Sequence, residues 1–340
     1  MATAPAIAAL EERLRQRLRS TLDGADVVKL CALPGGASSL TYLATVDGPH
    51  ARQLVVKQAP GGVMPVGNRD VLRQSRIMGA LRRFADIKVP RILIEDPGSP
   101  PDNPPYFAME FLPGEAFEPH KDTLAAGAIL PSPKHLAARA LAATRMLIAL
   151  HSLSPAELGI GNEPEIALSD EVGRWARLFA TVDDDMKPGS LAVETLLLAA
   201  LPGASPACLI HGDFRLGNLL CQHEEIVAII DWEIWSRADP RVDLAWFLLT
   251  ADPNLHPLAI RDAPGMPRPD VLLRVYEDAR GSVVTGLNWF RALALFKMAA
   301  SVALIVKHNR RRGDPSGRAA ALAPRVSTML QRACFELEQG

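Results

Sequence analysis

The sequence lacks an excess of charge of either sign, because 37 lysine and arginine residues nearly balance 38 aspartate and glutamate residues. With a formal net charge of −1, no strong attraction to nucleic acid or to acidic lipid membranes is expected. Cysteine is also scarce, with four residues in 340 and neither a CxxC pair nor the spacing of a metal site. We therefore expect buried thiols in a reducing compartment, and hence a cytoplasmic protein.

The chain also lacks the signals of a targeting peptide, a membrane span or an internal repeat. Residues 1–10 are apolar but have no basic region, which argues against a signal peptide. The most apolar stretch, residues 289–306, is interrupted by Arg291 and Lys297, so it predicts a core helix rather than a membrane-spanning helix. A chain of 340 residues can bury a substantial core, as one large domain or as two lobes.

Two short apolar runs carry polar residues at their ends. Leu209 and Ile210 lead towards Asp213 and Asn218, and residues 226–230 lead into Asp231. Runs rich in Ile, Leu and Val predict buried strands, and we expect their polar ends to meet at one edge of a small sheet. Three such oxygen-bearing side chains suit Mg²⁺ held jointly by protein and phosphate, with one carboxylate left to take a proton. This equipment is typical of phosphoryl transfer, although a single buried acid at a strand end is usually structural.

The pattern His-Gly-Asp at residues 211–213, then Asn218, then an apolar strand that ends in Asp231 resembles the aminoglycoside phosphotransferase-like family. The further run Asp-Pro-Arg-Val-Asp-Leu-Ala at residues 239–245 is similar to the pattern of the same family. The family includes choline-kinase relatives and is a distant branch of the protein-kinase fold. Several elements in the right order and spacing make this resemblance specific.

The resemblance implies a bilobal, protein-kinase-like α+β fold. We expect a nucleotide-binding lobe with an antiparallel sheet over residues 1–111, and a mainly helical catalytic and substrate-binding lobe over residues 112–340. The implied activity is transfer of the γ-phosphate of ATP, with Mg²⁺, to a hydroxyl group of a small molecule.

A Gly/Ser turn with Gly35, Gly36, Ser38 and Ser39 follows the first predicted strand. The backbone N–H groups of such a turn can approach a phosphate, although a plain hairpin has the same composition. The resemblance places the loop over the ATP phosphates here. Lys57 ends a later apolar strand, where a lysine is usually just solvated. In the family, the lysine at this place contacts the α- and β-phosphates.

The helix predicted over residues 69–84 departs from the family pattern. Its inward face includes Gln74, at the place where family members have a glutamate that pairs with the strand lysine. No glutamate occurs between Lys57 and Ile94. A neutral amide can accept a hydrogen bond from the ammonium but brings no charge. Asp70, one turn earlier, is an alternative partner, and a slow or inactive family member is a second interpretation.

Residues 106–114 predict a strand that runs into a turn, and this segment resembles the hinge whose backbone pairs with adenine. By this resemblance Met109 lies behind the adenine, and Glu110 and Phe111 belong to the nucleotide-binding segment. A core strand followed by a connector would have the same sequence, and both interpretations can hold together.

The roles around the motif follow from the same resemblance. Asp213 is expected to orient or deprotonate the acceptor hydroxyl, and Asn218 and Asp231 are expected to bind Mg²⁺. Arg215 either neutralises phosphate or substrate charge, or forms a salt bridge within the loop. Asp243 resembles the acid that braces the catalytic loop from the following helix.

The order of residues 211–218 and the Asp-Trp-Glu at residues 231–233 are most similar to phosphotransferase domains related to those found beside acyl-CoA dehydrogenases. That resemblance implies a hydroxylated acyl compound or another non-cationic acceptor. The acidic run at residues 183–185 would suit a cationic aminoglycoside, but such runs are usually solvated loops. Two alternatives stay open: a nucleotide-binding module with little catalysis, motivated by Gln74, and an aminoglycoside or macrolide resistance kinase.

Overall fold

The computed structural model describes residues 4–21, 26–33, 39–48, 52–119, 131–255, 263–313 and 317–339. Contacts within the chain divide it into two compact units. Unit 1 comprises Met1–Glu115 and Ile226–Trp235, and unit 2 comprises Ala116–Glu225 and Ser236–Gly340. The predicted lobe boundary after residue 111 stays a prediction.

Helices and strands are numbered in chain order through the described ranges. The helices are α1 (Ala4–Thr21), α2 (Val71–Leu81), α3 (Pro133–His151), α4 (Leu168–Ala180), α5 (Ser190–Ala199), α6 (Arg241–Ala251), α7 (Pro269–Arg280), α8 (Leu287–Arg311) and α9 (Arg318–Glu338). The strands are β1 (Asp26–Ala32), β2 (Leu40–Asp47), β3 (Arg52–Gln58), β4 (Ile92–Asp96), β5 (Tyr106–Glu110), β6 (Glu165–Ile166), β7 (Cys208–Ile210), β8 (Leu219–Gln222), β9 (Glu225–Ile229) and β10 (Ser236–Ala238).

Unit 1 is built on an antiparallel sheet with the strand order β1-β2-β3-β5-β4. Strands β2 and β3 alternate between buried and more accessible residues, as expected for strands that pack one face on a core. Lys57 lies on the central strand β3, opposite Thr41 of β2 and Phe107 of β5. Hydrogen-bonded neighbours on both sides therefore fix the backbone from which the lysine side chain extends.

Helix α1 packs against strands of this sheet. Leu10, Leu14 and Leu18 recur every four residues, and each is at most 1% exposed. They form the inward stripe of an amphipathic helix and join one apolar cluster with Tyr42 and Tyr106.

Unit 2 is organised around α8, a helix of 25 residues. Its apolar residues form one core cluster with residues of α4, α6 and α9. Among the described residues, α8 alone is long and apolar enough to cross a membrane, yet 78% of its most apolar window is buried inside the protein. These contacts fit the core helix that the sequence predicts.

A short buried strand, β7, leads into residues 211–213, the predicted catalytic turn of unit 2. It pairs antiparallel with β10, and β10 pairs in parallel with β6. All three residues of β7 are buried, which explains the apolar run at this place in the sequence. The antiparallel sheet of unit 1 and the helices of unit 2 confirm the α+β class.

The cysteines are free thiols and differ in burial. Cys208 and Cys221 are buried, whereas Cys31 and Cys334 are only partly covered. The expectation of buried thiols is therefore right for the first pair and wrong for the second. The second pair lies on the edge strand β1 and on α9.

Replacing Phe296 by alanine tests the core around α8. Phe296 is fully buried, and its ring lies 5.2 Å from that of Phe179 on α4, measured between centroids. We expect a loss of about 3–5 kcal/mol in the free energy of unfolding, because the substitution removes buried apolar area and leaves a cavity. Val283→Ala, at a position that is 77% exposed, is the control and should cost less than about 0.5 kcal/mol. Equal, small losses in urea denaturation would contradict this core.

Candidate active site

The turn after β7 is held by a buried acid on α6. Asp243 is fully buried and accepts hydrogen bonds from the backbone N–H groups of His211, at 2.6 Å, and Gly212, at 2.8 Å. The Nδ1 atom of His211 accepts a further bond from the backbone N–H of Asp213 at 3.2 Å. Gly212 has φ of +83°, a conformation that suits glycine. The bracing role predicted for Asp243 agrees with this geometry.

Three side chains fix the carboxylate of Asp213. Trp246 Nε1 donates to Oδ1 at 2.7 Å, and Asn218 Nδ2 donates to Oδ2 at 2.7 Å. Arg215 Nε lies 3.2 and 3.3 Å from the two oxygens. Burial alone would raise the pKa of Asp213, but the charges of Arg215 and Lys297, with further help from Asn218, lower it to about 2. The carboxylate is therefore ionised at neutral pH.

Arg215 is shared between two acids of unit 2. Besides contacting Asp213, its Nη1 atom forms an ion pair with Glu118, whose side chain is 3% exposed. A Cβ atom at Gly217 would collide with this pair, so the glycine leaves the space in which the two side chains meet. Of the two roles that the sequence leaves open for Arg215, the salt bridge is the one present in the structure.

In unit 1, Lys57 lies between an acid and an amide. Its Nζ atom is 2.7 Å from Asp231 Oδ1 and 3.4 Å from Gln74 Oε1. Gln74 therefore occupies the place that the predicted helix face assigns to it. Asp70 does not replace the missing glutamate, because its carboxylate caps α2 and accepts from the backbone N–H of Arg73 at 3.0 Å. The charge partner of the lysine is Asp231.

Asp231 has an unusual backbone conformation, with φ of +68°. A non-glycine residue in the left-handed region costs about 1–3 kcal/mol, and such residues cluster at functional sites. The preceding strand is anchored by a hydrogen bond from Ile229 N–H to the carbonyl of Lys88 at 2.8 Å. The indole N–H of Trp232 donates to the carbonyl of Ile229 at 3.2 Å. These contacts hold the carboxylate of Asp231 at the end of the strand, towards Lys57.

Other residues predicted to contact the nucleotide belong to unit 1. Ser39 and Met109 are buried, and Phe111 is 40% exposed. Glu110 is committed to the sheet, because its carboxylate accepts from the backbone N–H of Arg91 at 2.7 Å. Gly35, Gly36 and Ser38 lie outside the described residues.

Asn218 and Asp231, each within its own unit, have the oxygen atoms that a hard cation requires. The Asn218 amide nitrogen donates to the backbone carbonyl and to Oδ2 of Asp213, so Oδ1 is the amide atom left to accept or coordinate. The Asp231 side chain is 39% exposed. Within the described ranges, no group of three or more His, Cys, Asp or Glu side chains could hold a metal by itself. Magnesium would therefore need phosphate and water oxygens as well, as is usual for this ion.

Sequence reasoning missed three residues that surround Asp213. Glu118 precedes Arg215 by 97 residues and carries no local signal. Trp246 follows the Asp-Pro-Arg-Val-Asp run by three positions, but an indole in an apolar helix is normally just core. Lys297 had a signal, since a lysine within an apolar stretch needs a buried polar partner.

The sequence pattern of the phosphotransferase enzyme family matches residues 29–293, most of the chain. The chain belongs to this family. Membership of this family agrees with the phosphotransferase class that the sequence predicts. The matched range includes Lys57, the catalytic turn and Asp243.

Two curated relatives of this chain carry names from another enzyme class. The chain is 27% identical to mouse acyl-CoA dehydrogenase family member 10 over 341 residues, which cover 97% of the chain and 30% of that protein. It is 27% identical to human acyl-CoA dehydrogenase family member 11 over 258 residues, which cover 72% of the chain and 32% of that protein. The chain thus spans about a third of the length of these relatives.

Solved structures show the same fold. A candidate aminoglycoside phosphotransferase from Ralstonia eutropha JMP134 has a TM-score of 0.76 at 20% identity, covering 96% of this chain and 98% of that one. A macrolide 2′-phosphotransferase type I has a TM-score of 0.60 at 20% identity, with coverage of 95% and 97%. A thermostable mutant of an aminoglycoside phosphotransferase, solved with AMP-PNP and hygromycin B, has a TM-score of 0.58 at 16% identity, with coverage of 94% and 98%. The predicted kinase-like fold is confirmed.

Replacing Gln74 by glutamate tests whether Lys57 already has its charge partner. Because Asp231 lies 2.7 Å from the ammonium, a second acid should add little, and kcat/KM for ATP should change by less than about threefold. Gln53→Glu makes the same change at an exposed position on β3 and is the control. A gain of about tenfold or more, specific to position 74, would show that the native lysine is poorly positioned.

Proposed function

We propose that this chain transfers the γ-phosphoryl group of ATP, in the presence of Mg²⁺, to a hydroxyl group of a small molecule that Asp213 orients. The observation that carries the proposal is the ionised carboxylate of Asp213, whose two oxygens are fixed by Trp246, Asn218 and Arg215. A carboxylate that is fixed in place can accept the hydrogen bond of the attacking hydroxyl without rearrangement.

The low pKa of Asp213, about 2, fits an orienting role. Phosphoryl transfer passes through a loose transition state, so alignment of the hydroxyl matters more than early removal of its proton. As the hydroxyl oxygen bonds to the γ-phosphorus, the bond from that phosphorus to the ADP oxygen breaks. The proton of the hydroxyl becomes acidic as the new bond forms, and it then passes to Asp213 and on to solvent.

Lys57 is the residue proposed to contact the nucleotide phosphates. Its ammonium is already fixed by Asp231 and Gln74, which orients it before a phosphate oxygen joins them. Asn218 and Asp231 would bind Mg²⁺, which when bound neutralises charge on the phosphate oxygens. The remaining nucleotide-binding residues of the proposal are Gly35, Gly36, Ser38, Ser39, Met109, Glu110 and Phe111.

We also propose that the acceptor carries no positive charge, as in a hydroxylated acyl compound. The acidic run of unit 2 is occupied, because Asp183 and Asp185 form ion pairs with Arg310 on α8. Close to Asp213, the charges of Arg215 and Lys297 oppose those of the acids, so the surroundings do not favour a polycation. The acyl-CoA dehydrogenase names of the curated relatives agree with an acyl acceptor. These points count against the alternative of an aminoglycoside resistance kinase.

The alternative of a nucleotide-binding module with little catalysis rests on Gln74. The amide supplies no charge to Lys57, but Asp231 does so at 2.7 Å. The position of Asp231 therefore favours the enzyme over the module.

Replacing Asp213 by alanine tests the proposed role directly. We expect kcat to fall by about 10²–10⁴-fold, because the hydroxyl loses the group that orients it. Affinity for MgATP should stay within about threefold, since only the transition state loses an interaction. The rate is measured as ATP consumption with a library of hydroxyl compounds, and the affinity by calorimetry. Asp278→Ala, an exposed change on α7, is the control. Unaltered turnover in Asp213→Ala, or nucleotide binding by the wild type without any turnover, would refute the proposal.

Replacing Asp231 by alanine tests the nucleotide side of the proposal. The change removes the charge partner of Lys57 and a proposed Mg²⁺ ligand, so MgATP affinity should fall by about tenfold or more, with little effect on metal-free ATP. Calorimetric titrations of ATP with and without Mg²⁺ separate the loss of the metal ligand from the loss of the charge partner of Lys57. Asp86→Ala, an exposed change in the same unit, should bind MgATP as the wild type does. Unchanged Mg²⁺-dependent affinity in Asp231→Ala would count against its metal role.

A further inference from the structure

Lys297 is a buried cation on α8, the long core helix of unit 2. Lys297 is only 4% exposed, and its Nζ atom donates a hydrogen bond to the backbone carbonyl of Gly212. The ammonium lies 3.9 Å from the centroid of the Trp246 ring and 5.4 Å from that of the Trp175 ring. Removing an ammonium from water is costly unless its surroundings compensate, so this placement requires specific partners.

The partners of Lys297 come from α4, from α6 and from the turn after β7. Burial lowers its pKa, whereas the acids Asp213, Glu171 and Asp243 raise it and Arg174 lowers it further. Both indoles that face the ammonium give their N–H groups to acids. Trp175 donates to Glu171 Oε1 at 2.8 Å, and Trp246 donates to Asp213 Oδ1 at 2.7 Å. The negative ring faces thus meet the cation while the positive ring edges meet carboxylates.

Two short routes connect this cation with Asp213. The first route is the peptide bond between Gly212 and Asp213. The Gly212 carbonyl of this peptide accepts a hydrogen bond from Lys297, and the N–H group of Gly212 donates to Asp243 at 2.8 Å. The second is the Trp246 ring, which Lys297 contacts on its face and whose N–H reaches Asp213 Oδ1. The backbone and the carboxylate of Asp213 are therefore both restrained from the same buried ammonium.

We propose that Lys297 is a positioning residue for phosphoryl transfer, which fixes the Gly212 carbonyl and the Trp246 indole and through them aims the Asp213 carboxylate. The inference rests on the proposed function of Asp213. It adds that the orientation of the Asp213 carboxylate depends on Lys297, a residue in the helical core of unit 2 that does not contact substrate. Because positioning acts on the transition state, loss of Lys297 should lower kcat and leave nucleotide affinity intact.

Lys307 provides a matched control on the same helix. It is 9% exposed, and its ammonium also donates to a backbone carbonyl, that of Thr181. Thr181 follows α4 and is not part of the catalytic turn. Lys297→Met and Lys307→Met therefore remove equivalent buried cations from α8, but only the first removes contacts to the Asp213 turn. A purely structural role predicts that both changes lower stability and leave the rate per folded molecule alone.

The test compares these variants in MgATP hydrolysis with water as the acceptor, per folded molecule, together with affinity for a non-hydrolysable ATP analogue. We expect Lys297→Met to lower kcat by about 100-fold with unchanged affinity, and Lys307→Met to stay within about twofold of the wild type. Lys297→Arg, which keeps the charge, should recover part of the loss. Equal rates in the two methionine variants would overturn the inference.

Trp246→Phe makes the test independent of whether Lys297→Met folds. The phenyl ring keeps most of the packing but cannot donate to Asp213, so kcat should fall by about tenfold at constant nucleotide affinity. In the double variant Lys297→Met/Trp246→Phe, the two decreases in kcat should not multiply, because both substitutions act through the Asp213 carboxylate. A wild-type rate in Trp246→Phe, or full multiplication of the two decreases in kcat, contradicts the inference.

The variant Asp213→Ala separates the two proposals. If it keeps activity, the proposed function of Asp213 is wrong. If Asp213→Ala is inactive while Lys297→Met is fully active, only the role of Lys297 is refuted.

Discussion

The pair of hydrogen bonds from the His211 and Gly212 backbone to Asp243 is the constraint on which the catalytic turn depends. A fully buried carboxylate is normally costly, and burial alone would raise the pKa of Asp243. The His151 side chain, whose Nε2 atom lies 3.8 Å from the carboxylate, and the charge of Lys297 hold that pKa below its usual range. The ionised acid can therefore bind two N–H groups at 2.6 and 2.8 Å. The turn fixed in this way presents Asp213 to the side chains that hold its carboxylate.

In unit 1, a separate set of contacts fixes the position of the Lys57 ammonium. In the family pattern a helix glutamate does this, and here the helix provides only the neutral Gln74 at 3.4 Å. The charge comes instead from Asp231, whose left-handed backbone turns its carboxylate to within 2.7 Å of Lys57. A residue that costs backbone energy and pairs with a nearly buried lysine fits the proposed role of Lys57 at the nucleotide phosphates. Loss of the glutamate is therefore compatible with a working phosphotransferase.

The parts of the fold and site that depend on local sequence were predictable. The apolar stretch at residues 289–306 predicted the core helix α8, and the apolar run before Asp213 predicted the buried strand β7, because neighbouring residues constrain one another directly. Partners far away in sequence were not predictable. Glu118 pairs with Arg215 across 97 positions, and Lys297 reaches Gly212 across 85. The alternative in which Asp70 pairs with Lys57 is wrong, because the position of Asp70 in the predicted helix does not reveal that its carboxylate caps the helix.

The most direct test of this account is a crystal structure of the chain with a non-hydrolysable ATP analogue and Mg²⁺. The account predicts Mg²⁺ bound by Asn218 and Asp231, with the Lys57 ammonium on phosphate oxygens and the γ-phosphate facing Asp213. Nucleotide bound elsewhere, or a metal ion that contacts neither residue, would contradict it.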